Sequence, residues 1–493
     1  MSRSSPARAA TSPARPEDER LPLGATVGYG FQHVLTMYGG IIAPPLIVGG
    51  AAGLTSAEIG TLVAACLFIG GLATILQTVG IPFFGSQLPL VQGVSFAGVS
   101  TMVAIVNGGG GIQAVFGAVL VSSVVGFLIA PFFAQIIRFF PPVVTGVVIT
   151  TIGLTLMPVA GGWAMGGDKE AADYGSVSNI GLAALTFAVV ILLSKVGSGI
   201  ISRLSILIAI VVGTLVSIPL GMADFSGVGD GAVFAFPAPL AMGPPTFEVA
   251  AIVSMLIIML VTLTETTADI IAVGEIIGTK VDRKRIANGL RADMGSSIVS
   301  PFFGSFTQSA FAQNVGLVAI TGVKSRFVVT AGGGILVVLG LLPVLGRVVA
   351  AVPSPVLGGA GIVLFGTVAA SGIRTLAKVD YNNSMNLIIV AASISFGMIP
   401  IAMPTFYDQF PTWFGTIFHS GISSAALMAI LLNILFNHIK AGTPENPSVF
   451  VKGTASKAVD DDQLDDLADD GVLNRSNRPQ AAAQEHRDSA TTP

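Results

Sequence analysis

The sequence predicts an all-helical integral membrane protein, and three observations support this fold class. Of the 493 residues, 52% are apolar and only 10% are charged, and the mean hydropathy is +0.81, whereas a soluble domain averages about 25% charged residues. Between two polar tails the chain forms apolar runs of roughly 18 to 30 residues, each long enough to cross the hydrocarbon core as a helix. The 60 glycines suit membrane helices, which pack by close backbone contact.

Polar segments at both ends are predicted to be disordered and cytoplasmic. Residues 1–20 contain four arginines among Ser, Pro and Ala without an apolar stretch, so they do not form a cleavable signal peptide. From 441 to 493 the chain is rich in aspartate, and such a composition buries too little apolar surface to fold. The net charge is −3 and the basic residues are dispersed, so nucleic acid is excluded as a partner.

Fourteen segments between the tails are predicted to cross the membrane as helices. This even count leaves only Lys169 and Arg347 in the connections on one side, while the other side holds the remaining loop Lys and Arg residues. Because cytoplasmic loops carry the excess of Lys and Arg, both termini are predicted to be cytoplasmic, with the plasma (inner) membrane as the location. The predicted spans are 24–48, 56–79, 84–106, 112–134, 136–158, 178–196, 202–221, 248–277, 285–304, 307–322, 326–346, 353–373, 385–402 and 420–438.

A short repeat places two polar, interrupted spans at matching positions in the two halves of the chain. Pro82–Ser86 and Pro301–Ser305 both read PFFGS, and counting onward brings Ser95 opposite Asn314. Each copy precedes a poor membrane helix, the third or the tenth span. Seven spans precede residue 248, and an odd number per repeat inverts the second copy, with the binding site at the broken spans near the midplane. A chance identity in so biased a composition is the alternative.

Carboxylates inside the apolar spans are the first candidates for chemistry, because an unpaired charge is costly in lipid. Glu265 and Asp269 lie four residues apart in the eighth span, which puts both on one helix face that should point into the bundle. Asp293 lies in the ninth span, where burial favours the neutral form of a carboxyl group and so allows it to carry a proton. Glu275, near the cytoplasmic end of the eighth span, is predicted to be an interfacial charge.

His33 and the pair Gln313–Asn314 are further polar side chains within predicted spans. His33 either braces neighbouring groups by hydrogen bonds or pairs with Glu265 or Asp269, which could also share a proton with each other. The two amides offer paired donors and acceptors that suit a planar heterocycle with alternating N–H and C=O groups. Since a carboxylate such as Glu265 accepts two N–H bonds, the amides and the carboxylate together could recognise the edge of an oxidised purine. Interhelical amide contact without a ligand is the alternative.

Five short segments form a combination that is specific for one transporter family. They are GFQHVL at 30–35, QGVSF at 92–96, FFPPVVTG at 139–146, ETTAD at 265–269 and QNVGLVAITG at 313–322. Together they resemble the motifs of the nucleobase-ascorbate transporters, and most closely the purine branch with its bacterial xanthine and uric acid permeases. The resemblance extends over 24–440. One departure is Ala268, where the family pattern has Gly, so the packing near Asp269 is left open.

The resemblance implies a particular architecture. Fourteen spans would form two inverted repeats of seven, arranged as a core domain that holds the substrate and a gate domain, and two chains would form a homodimer. The core domain would combine spans 1–4 (24–135) with spans 8–11 (247–347). The gate domain would combine spans 5–7 (136–222) with spans 12–14 (348–438).

The resemblance also implies which residues bind the substrate. Glu265 and Gln313 would contact the base directly. Uracil transporters of the family tend to have Glu where this chain has Gln313, whereas purine transporters resemble this chain in having Gln, so xanthine or uric acid is favoured. Backbone groups would complete the pocket near Ser95, Phe96, Phe311 and Ala312.

Protons are the coupling ion that the resemblance implies. Asp269 and Asp293 would serve proton coupling, His33 would brace the site, and Asn314 would influence affinity. Neither a cofactor nor a metal is expected, and the single cysteine, Cys66, cannot form a cysteine metal cluster within one chain.

The predicted function is therefore import of an oxidised purine by a proton-coupled symporter embedded in the bilayer. A permease for uracil or another nucleobase is one alternative. Another is an anion exchanger of the sulfate-permease type, which would bind its anion at helix N-termini without a Gln-Asn pair. A membrane-embedded enzyme is the alternative from a different class, although the chain has no HExxH motif, nucleophile elbow or phosphate loop.

Overall fold

Helices make up nearly all the regular structure of the computed structural model, which describes residues 15–229 and 232–439. Two short strands, β1 (Gln92–Val94) and β2 (Gln308–Ala310), interrupt the otherwise all-helical fold. The helices are α1 (Leu23–Ala51), α2 (Ser56–Val79), α3 (Val99–Ile105), α4 (Gly111–Ile129), α5 (Phe133–Ile136), α6 (Pro142–Ala164), α7 (Val177–Val196), α8 (Gly199–Arg203), α9 (Ser205–Ser217), α10 (Val249–Ile277), α11 (Arg283–Val299), α12 (Ala312–Thr321), α13 (Arg326–Gly340), α14 (Pro343–Ala350), α15 (Ser354–Leu376), α16 (Ser384–Ala402), α17 (Thr412–Phe418) and α18 (Gly421–Asn433).

The helices form a multi-pass membrane protein. In the part of the chain that the structure describes, nine helical stretches are long and apolar enough to cross a membrane, and a tenth results if α13 and α14, bent by 79°, form one span. This number of candidate spans is lower than the fourteen predicted, for physical reasons. Helices α9 and α12 are short, at 13 and 10 residues, and α11 carries several charges. The stretch Phe96–Phe132 also joins the third and fourth predicted spans.

A glycine-rich turn nevertheless separates α3 from α4 within that joined stretch. Gly109 has a φ of 92° and Gly111 a φ of 66°, values that side chains rarely tolerate and that interrupt the helix. This turn matches the predicted boundary between the third and fourth spans.

Glycines allow close contact between helices, as the composition predicts. Helix α6 packs along α15, and a Cβ atom at Gly153 would overlap the backbone nitrogen of Ala369. Likewise, a Cβ atom at Gly372 would overlap the backbone of Thr150. Small residues at such crossings bring backbones together where lipid removes the hydrophobic drive for packing.

The strands β1 and β2 pair in antiparallel fashion at the two broken spans, and Gln92 lies opposite Ala310. The ladder ends symmetrically: the Ser95 N–H donates to Thr307 O at 2.8 Å, and the Phe311 N–H donates to Val91 O at 3.0 Å. The equivalent of Ser95 is therefore Phe311, three residues before the Asn314 that counting from the PFFGS copies selects.

The three-residue difference comes from the connections that lead into the strands. Five residues, 87–91, link the first PFFGS copy to β1, whereas only two, 306–307, link the second copy to β2. Each strand then leads into a helical segment, beginning at Phe96 after β1 and at Ala312 after β2. The predicted broken spans are thus a strand followed by a short helix.

The segment 15–20 is folded onto the rest of the protein, so the prediction of a disordered tail over 1–20 is wrong for these residues. Glu17 is fully buried and forms an ion pair with Arg285 at the start of α11. Asp18 accepts a hydrogen bond from Arg326 Nε of α13 at 2.7 Å. Glu17 and Asp18 are thus both paired with arginines of the helical bundle, whereas composition alone predicts that such charged side chains remain in water. Residues 1–14 and the predicted acidic tail 441–493 lie outside the described residues.

Arg285 is the centre of this contact. Its Nε donates to Ser86 O at 2.6 Å, and its terminal nitrogens contact Gln87 O and Thr279 Oγ1 as well as Glu17. One guanidinium therefore joins the N-terminal segment to the first PFFGS loop and to the end of α10.

Glu17→Gln should lower the thermal stability of the purified protein by several degrees. The change leaves the Arg285 guanidinium, whose side chain is only 14% exposed, without its counter-charge, and breaking a buried ion pair costs roughly 3–5 kcal/mol. Thermal unfolding in detergent measures the effect. Asp18→Asn is the matched control, because Asp18 is 40% exposed and an exposed pair contributes about 0–1 kcal/mol. Equal melting temperatures for Glu17→Gln and the wild type would contradict the importance of the buried pair.

Candidate functional site

The carboxylates of α10 lie on a partly open face of that helix. Glu265 and Asp269 are both half-buried, and Ala268 between them is exposed. Among the described residues, neither carboxylate has a hydrogen-bond partner, and His33 pairs with neither of them. Their four-residue spacing puts them on one side of the helix, as predicted. Both groups are therefore available to a ligand or to water.

A shallow, partly open groove lies between α10 and α6. Glu265 is its one carboxylate, and its other lining residues are mostly apolar. The groove thus places a hydrogen-bond acceptor against an apolar wall. It is lined by Phe140, Val144, Thr145, Val148, Ile149, Val261, Thr264 and Glu265.

Asp293 lies behind this open face and is fully buried on α11. Its Oδ2 accepts a hydrogen bond of 2.6 Å from the Thr266 hydroxyl, and its Oδ1 is buried without a partner among the described residues. Asp269 is close enough for its charge to act on both Asp293 and Glu265. Of these three carboxyl groups, Asp293 is thus fully buried, and Glu265 and Asp269 lie on the partly open face of α10.

The amide pair on α12 divides into one buried and one exposed side chain. Asn314 is 1% exposed, and its Nδ2 donates to His33 Nδ1 at 3.0 Å and to His33 O at 3.1 Å. Because an amide nitrogen only donates, His33 Nδ1 accepts. Gln313 is exposed and has no hydrogen-bond partner among the described residues. The interhelical amide contact therefore belongs to Asn314, while the Gln313 amide is free for a ligand.

The first turns after β1 and β2 differ in the pairing of their backbone N–H groups. The Ser95 hydroxyl caps its helical turn by accepting from the Ala97 N–H at 3.3 Å. In α12, the N–H groups of Ala312 and Gln313 have no partner in the described part of the chain. Unpaired N–H groups at a helix N-terminus attract anionic or carbonyl oxygens.

Two phenylalanine rings lie at these helix starts. The Phe96 and Phe311 rings have centroids 6.4 Å apart, and Phe96 also contacts Phe365 of α15 with centroids 6.2 Å apart. The Phe311 ring is buried against Gly40 and Gly93, where a Cβ atom would come within 2.7 Å of it. The glycine in QGVSF thus makes room for Phe311. Phe365 was not predicted, because its helix is far away in sequence.

Sequence reasoning also assigned no role to two hydroxyl groups beside Asp293. Thr266 lies within ETTAD, and its hydroxyl accepts from the Ala310 N–H at 3.2 Å while it donates to Asp293. Ser297 accepts from the Gln308 N–H at 2.8 Å and donates to Asp293 O at 2.7 Å. Both are fully buried and both bind β2. Their hydrogen bonds to β2, which is distant in sequence from Thr266, are visible only in the structure, so no sequence pattern distinguishes these two hydroxyls from the others.

Over residues 15–229 and 232–439, no group of three or more His, Cys, Asp or Glu side chains could hold a metal ion.

Comparison with known proteins assigns the chain to a family. The Xan_ur_permease family model, described as a permease family, matches residues 24–406. A xanthine permease of Bacillus subtilis is 39% identical over 414 residues, which cover 84% of this chain and 94% of the relative. The uric acid transporter UacT of Escherichia coli is 38% identical over 429 residues, which cover 86% of this chain and 89% of the relative.

A solved structure supports the fold. The transmembrane domain of the cyanobacterial bicarbonate transporter BicA superposes with a TM-score of 0.57, covering 84% of this chain and 97% of that domain, at 14% sequence identity. So low an identity shows the shared fold alone, whereas the permeases match in sequence along most of their length. The chain is therefore a membrane transporter and not an enzyme, and it belongs to this permease family, the nucleobase-ascorbate transporters that its motifs indicate.

Proposed function

We propose that the protein is a proton-coupled symporter that imports xanthine, uric acid or both across the plasma membrane. The observation that carries the proposal is the separation of the two amides on α12. The Asn314 amide nitrogen binds His33, whereas the Gln313 side chain is exposed and free to bind a substrate. The xanthine and uric acid permeases that match this chain in sequence support a purine as that substrate.

The chemistry of an oxidised purine fits the groups that face the open side. Its ring N–H groups can donate to Glu265, which accepts two hydrogen bonds, and its alternating C=O and N–H groups can pair with the Gln313 amide. The unpaired N–H groups of Ala312 and Gln313 can donate to a purine carbonyl oxygen. Phe96, beside Phe311, offers an aromatic surface for a flat ring. The proposed binding residues are thus Glu265, Gln313 and the backbone near Ser95, Phe96, Phe311 and Ala312.

Asp269 and Asp293 are the proposed proton-coupling groups. Asp269 is half-buried on the open face and interacts electrostatically with Asp293, which is fully buried. A proton can therefore bind first at Asp269. From there it can neutralise Asp293, which lies away from water. His33 and Asn314 brace the start of α12 against α1. Charge neutralisation during the passage of the substrate is the expected use of protons in such a bundle.

The proposed architecture has fourteen spans in two inverted repeats, with both termini in the cytoplasm and a homodimer as the assembly. Three observations support the repeats and domains: the symmetric ends of the β1–β2 ladder, the extensive packing of α2 with α13, and that of α6 with α15. The first of these helix pairs lies in the proposed core domain and the second in the gate domain. Movement of one domain against the other would expose the site alternately to each side.

Two alternative substrates remain within transport. A uracil permease would bind a smaller ring with the same protein groups, Glu265 and Gln313. An anion exchanger would use the helix starts after β1 and β2, and the shared fold with a bicarbonate transporter favours testing it.

Labelled xanthine uptake should be inhibited by unlabelled xanthine and uric acid, and much less by uracil, sulfate or bicarbonate. The reason is that the five-membered ring of an oxidised purine adds an N–H donor and aromatic surface that uracil lacks, whereas sulfate and bicarbonate offer no ring N–H to Glu265. A competition panel in cells that lack their own purine permeases measures this. Strong inhibition by uracil would favour the nucleobase alternative, and inhibition by sulfate or bicarbonate would favour the anion exchanger.

Glu265→Gln should abolish uptake while the amount of protein in the membrane stays normal. The amide of Gln is uncharged and accepts one N–H bond, whereas the carboxylate accepts two. A loss of 10²-fold or more is expected, since each lost bond to a charged group is worth about 1.5–3 kcal/mol. Glu275→Gln is the matched control on the same helix, where the side chain is exposed and should tolerate the change. Uptake by Glu265→Gln at the level of Glu275→Gln would refute the assignment.

A protonophore should abolish accumulation of xanthine above its external concentration. A symporter concentrates substrate only while the proton gradient lasts, whereas exchange of internal for external xanthine can continue without it. Uptake is measured with and without the protonophore, and exchange serves as the control for an intact carrier. Undiminished accumulation would contradict coupling to protons.

A further inference from the structure

One buried hydroxyl connects the strand before the substrate helix to a buried carboxylate. The Ala310 N–H of β2 donates to Thr266 Oγ1 at 3.2 Å, and the same hydroxyl donates to Asp293 Oδ2 at 2.6 Å. Thr266 and Asp293 are both fully buried. The contact thus runs from β2 through α10 to α11 without passing through solvent.

We propose that Thr266 is a positioning residue that transmits the protonation state of Asp293 to β2 and hence to the substrate-binding start of α12. The inference rests on the proposed function, because it assumes that Asp293 takes up the transported proton. Ala310 is only three residues before Gln313, so a small shift of β2 moves both the Gln313 side chain and the unpaired N–H groups at the helix start.

The direction of the effect follows from hydrogen-bond chemistry. A threonine hydroxyl has one hydrogen to donate and lone pairs with which it can accept. When Asp293 is ionised, the bond from Thr266 is charge-assisted and about twice as strong as a neutral one. Polarisation of the hydroxyl then makes its oxygen a better acceptor for the Ala310 N–H.

Protonation of Asp293 weakens this chain of bonds whichever oxygen takes the proton. A proton on Oδ1, which is buried without a partner, leaves Oδ2 a neutral acceptor. A proton on Oδ2 would point at the Thr266 oxygen and compete with the Ala310 N–H. In both cases the hold on β2 is loosened, which allows the start of α12 to close around the substrate.

Few titratable groups lie on the helices and strands that pack against α11. Of the elements that pack against α11, α10 brings the charge of Asp269 to bear on Asp293. Helices α4 and α5 and strand β2 contain no titratable residue. On α2, Glu58 is exposed in the first turn, and the buried thiol of Cys66 accepts a hydrogen bond from Ser305. Glu265, also on α10, interacts with Asp269.

Ser297 provides a matched control for the link. Its hydroxyl is equally buried and also binds β2, but it donates to the backbone oxygen of Asp293 instead of the carboxylate. Loss of the Ser297 hydroxyl therefore removes a contact between β2 and α11 without removing the group that senses the proton.

The experiment measures the KM for labelled xanthine between roughly pH 6 and pH 8 in wild type, Thr266→Val, Thr266→Ser and Ser297→Ala. In the wild type, KM should fall about fivefold as pH falls, because protonation removes the charge-assisted part of one hydrogen bond. Thr266→Val keeps the side-chain shape but lacks the hydroxyl, so its KM should depend on pH much less than that of the wild type. Thr266→Ser and Ser297→Ala should retain the wild-type pH dependence.

The opposite outcomes overturn the inference. These are a wild-type pH dependence in Thr266→Val, its loss in Thr266→Ser, or an equal loss in Ser297→Ala, which would indicate general loosening of β2. A wild type that does not take up xanthine or uric acid contradicts the proposed function itself, and this is evident before any variant is compared.

Hydrogen exchange in the wild type tests the same link without a substitution, and it decides the matter if Thr266→Val fails to reach the membrane. After correction for the chemical exchange rate, protection of the Ala310 amide should fall as the pH falls. A protection that is independent of pH would overturn the role of Thr266.

Discussion

Extended backbone within a membrane protein must have every N–H and C=O group paired, and this constraint organises the whole site. Water is scarce at that depth, and each unpaired group costs several kcal/mol. The strands β1 and β2 pair with each other, and hydroxyl groups accept hydrogen bonds from the outward N–H groups of Gln92, Gln308 and Ala310. Thr74 of α2 accepts from the Gln92 N–H at 2.9 Å, as Thr266 and Ser297 accept from β2. These hydroxyls fix where the strands lie relative to three helices.

The pairing of β1 with β2 brings together the starts of the two helical segments that follow them. The segment after β2, α12, has a buried side and an open side. On the buried side, Asn314 and His33 anchor α12 to α1, and Asp293 lies under Thr266. On the open side, Gln313 remains unbonded among the described residues. Rigid support and free binding groups thus occur on the same ten-residue helix. A precise site needs its supporting contacts to be satisfied before the ligand arrives.

Much of this could be predicted from the chain alone, because it depends on local composition. Apolar runs indicated a multi-pass helical protein, and polar residues at Gln92 and Gln313 indicated two broken spans. The motif at 313–322 indicated the permease family that the comparisons confirm. The roles of individual site residues, the domain division and the fourteen spans stay predictions.

What could not be predicted depends on distances along the chain that no local pattern encodes. The register of β1 and β2 differs from the simple count because the two loops after PFFGS differ in length. The separation of Gln313 from Asn314 depends on a histidine 281 residues away from Asn314. The folding of residues 15–20 onto the core depends on Arg285 and Arg326.

The ion pair of Glu17 with Arg285 also has a consequence for how the protein is made. Arg285 follows Glu17 by 268 residues, and at roughly 5–20 residues per second its synthesis comes about 13–54 s later. During that interval the first half of the chain enters the membrane while Glu17 lacks this partner. The segment 15–20 therefore completes its contacts only after the first helices of the second half have been synthesised, so a segment that precedes α1 in the chain is among the last to reach its final position.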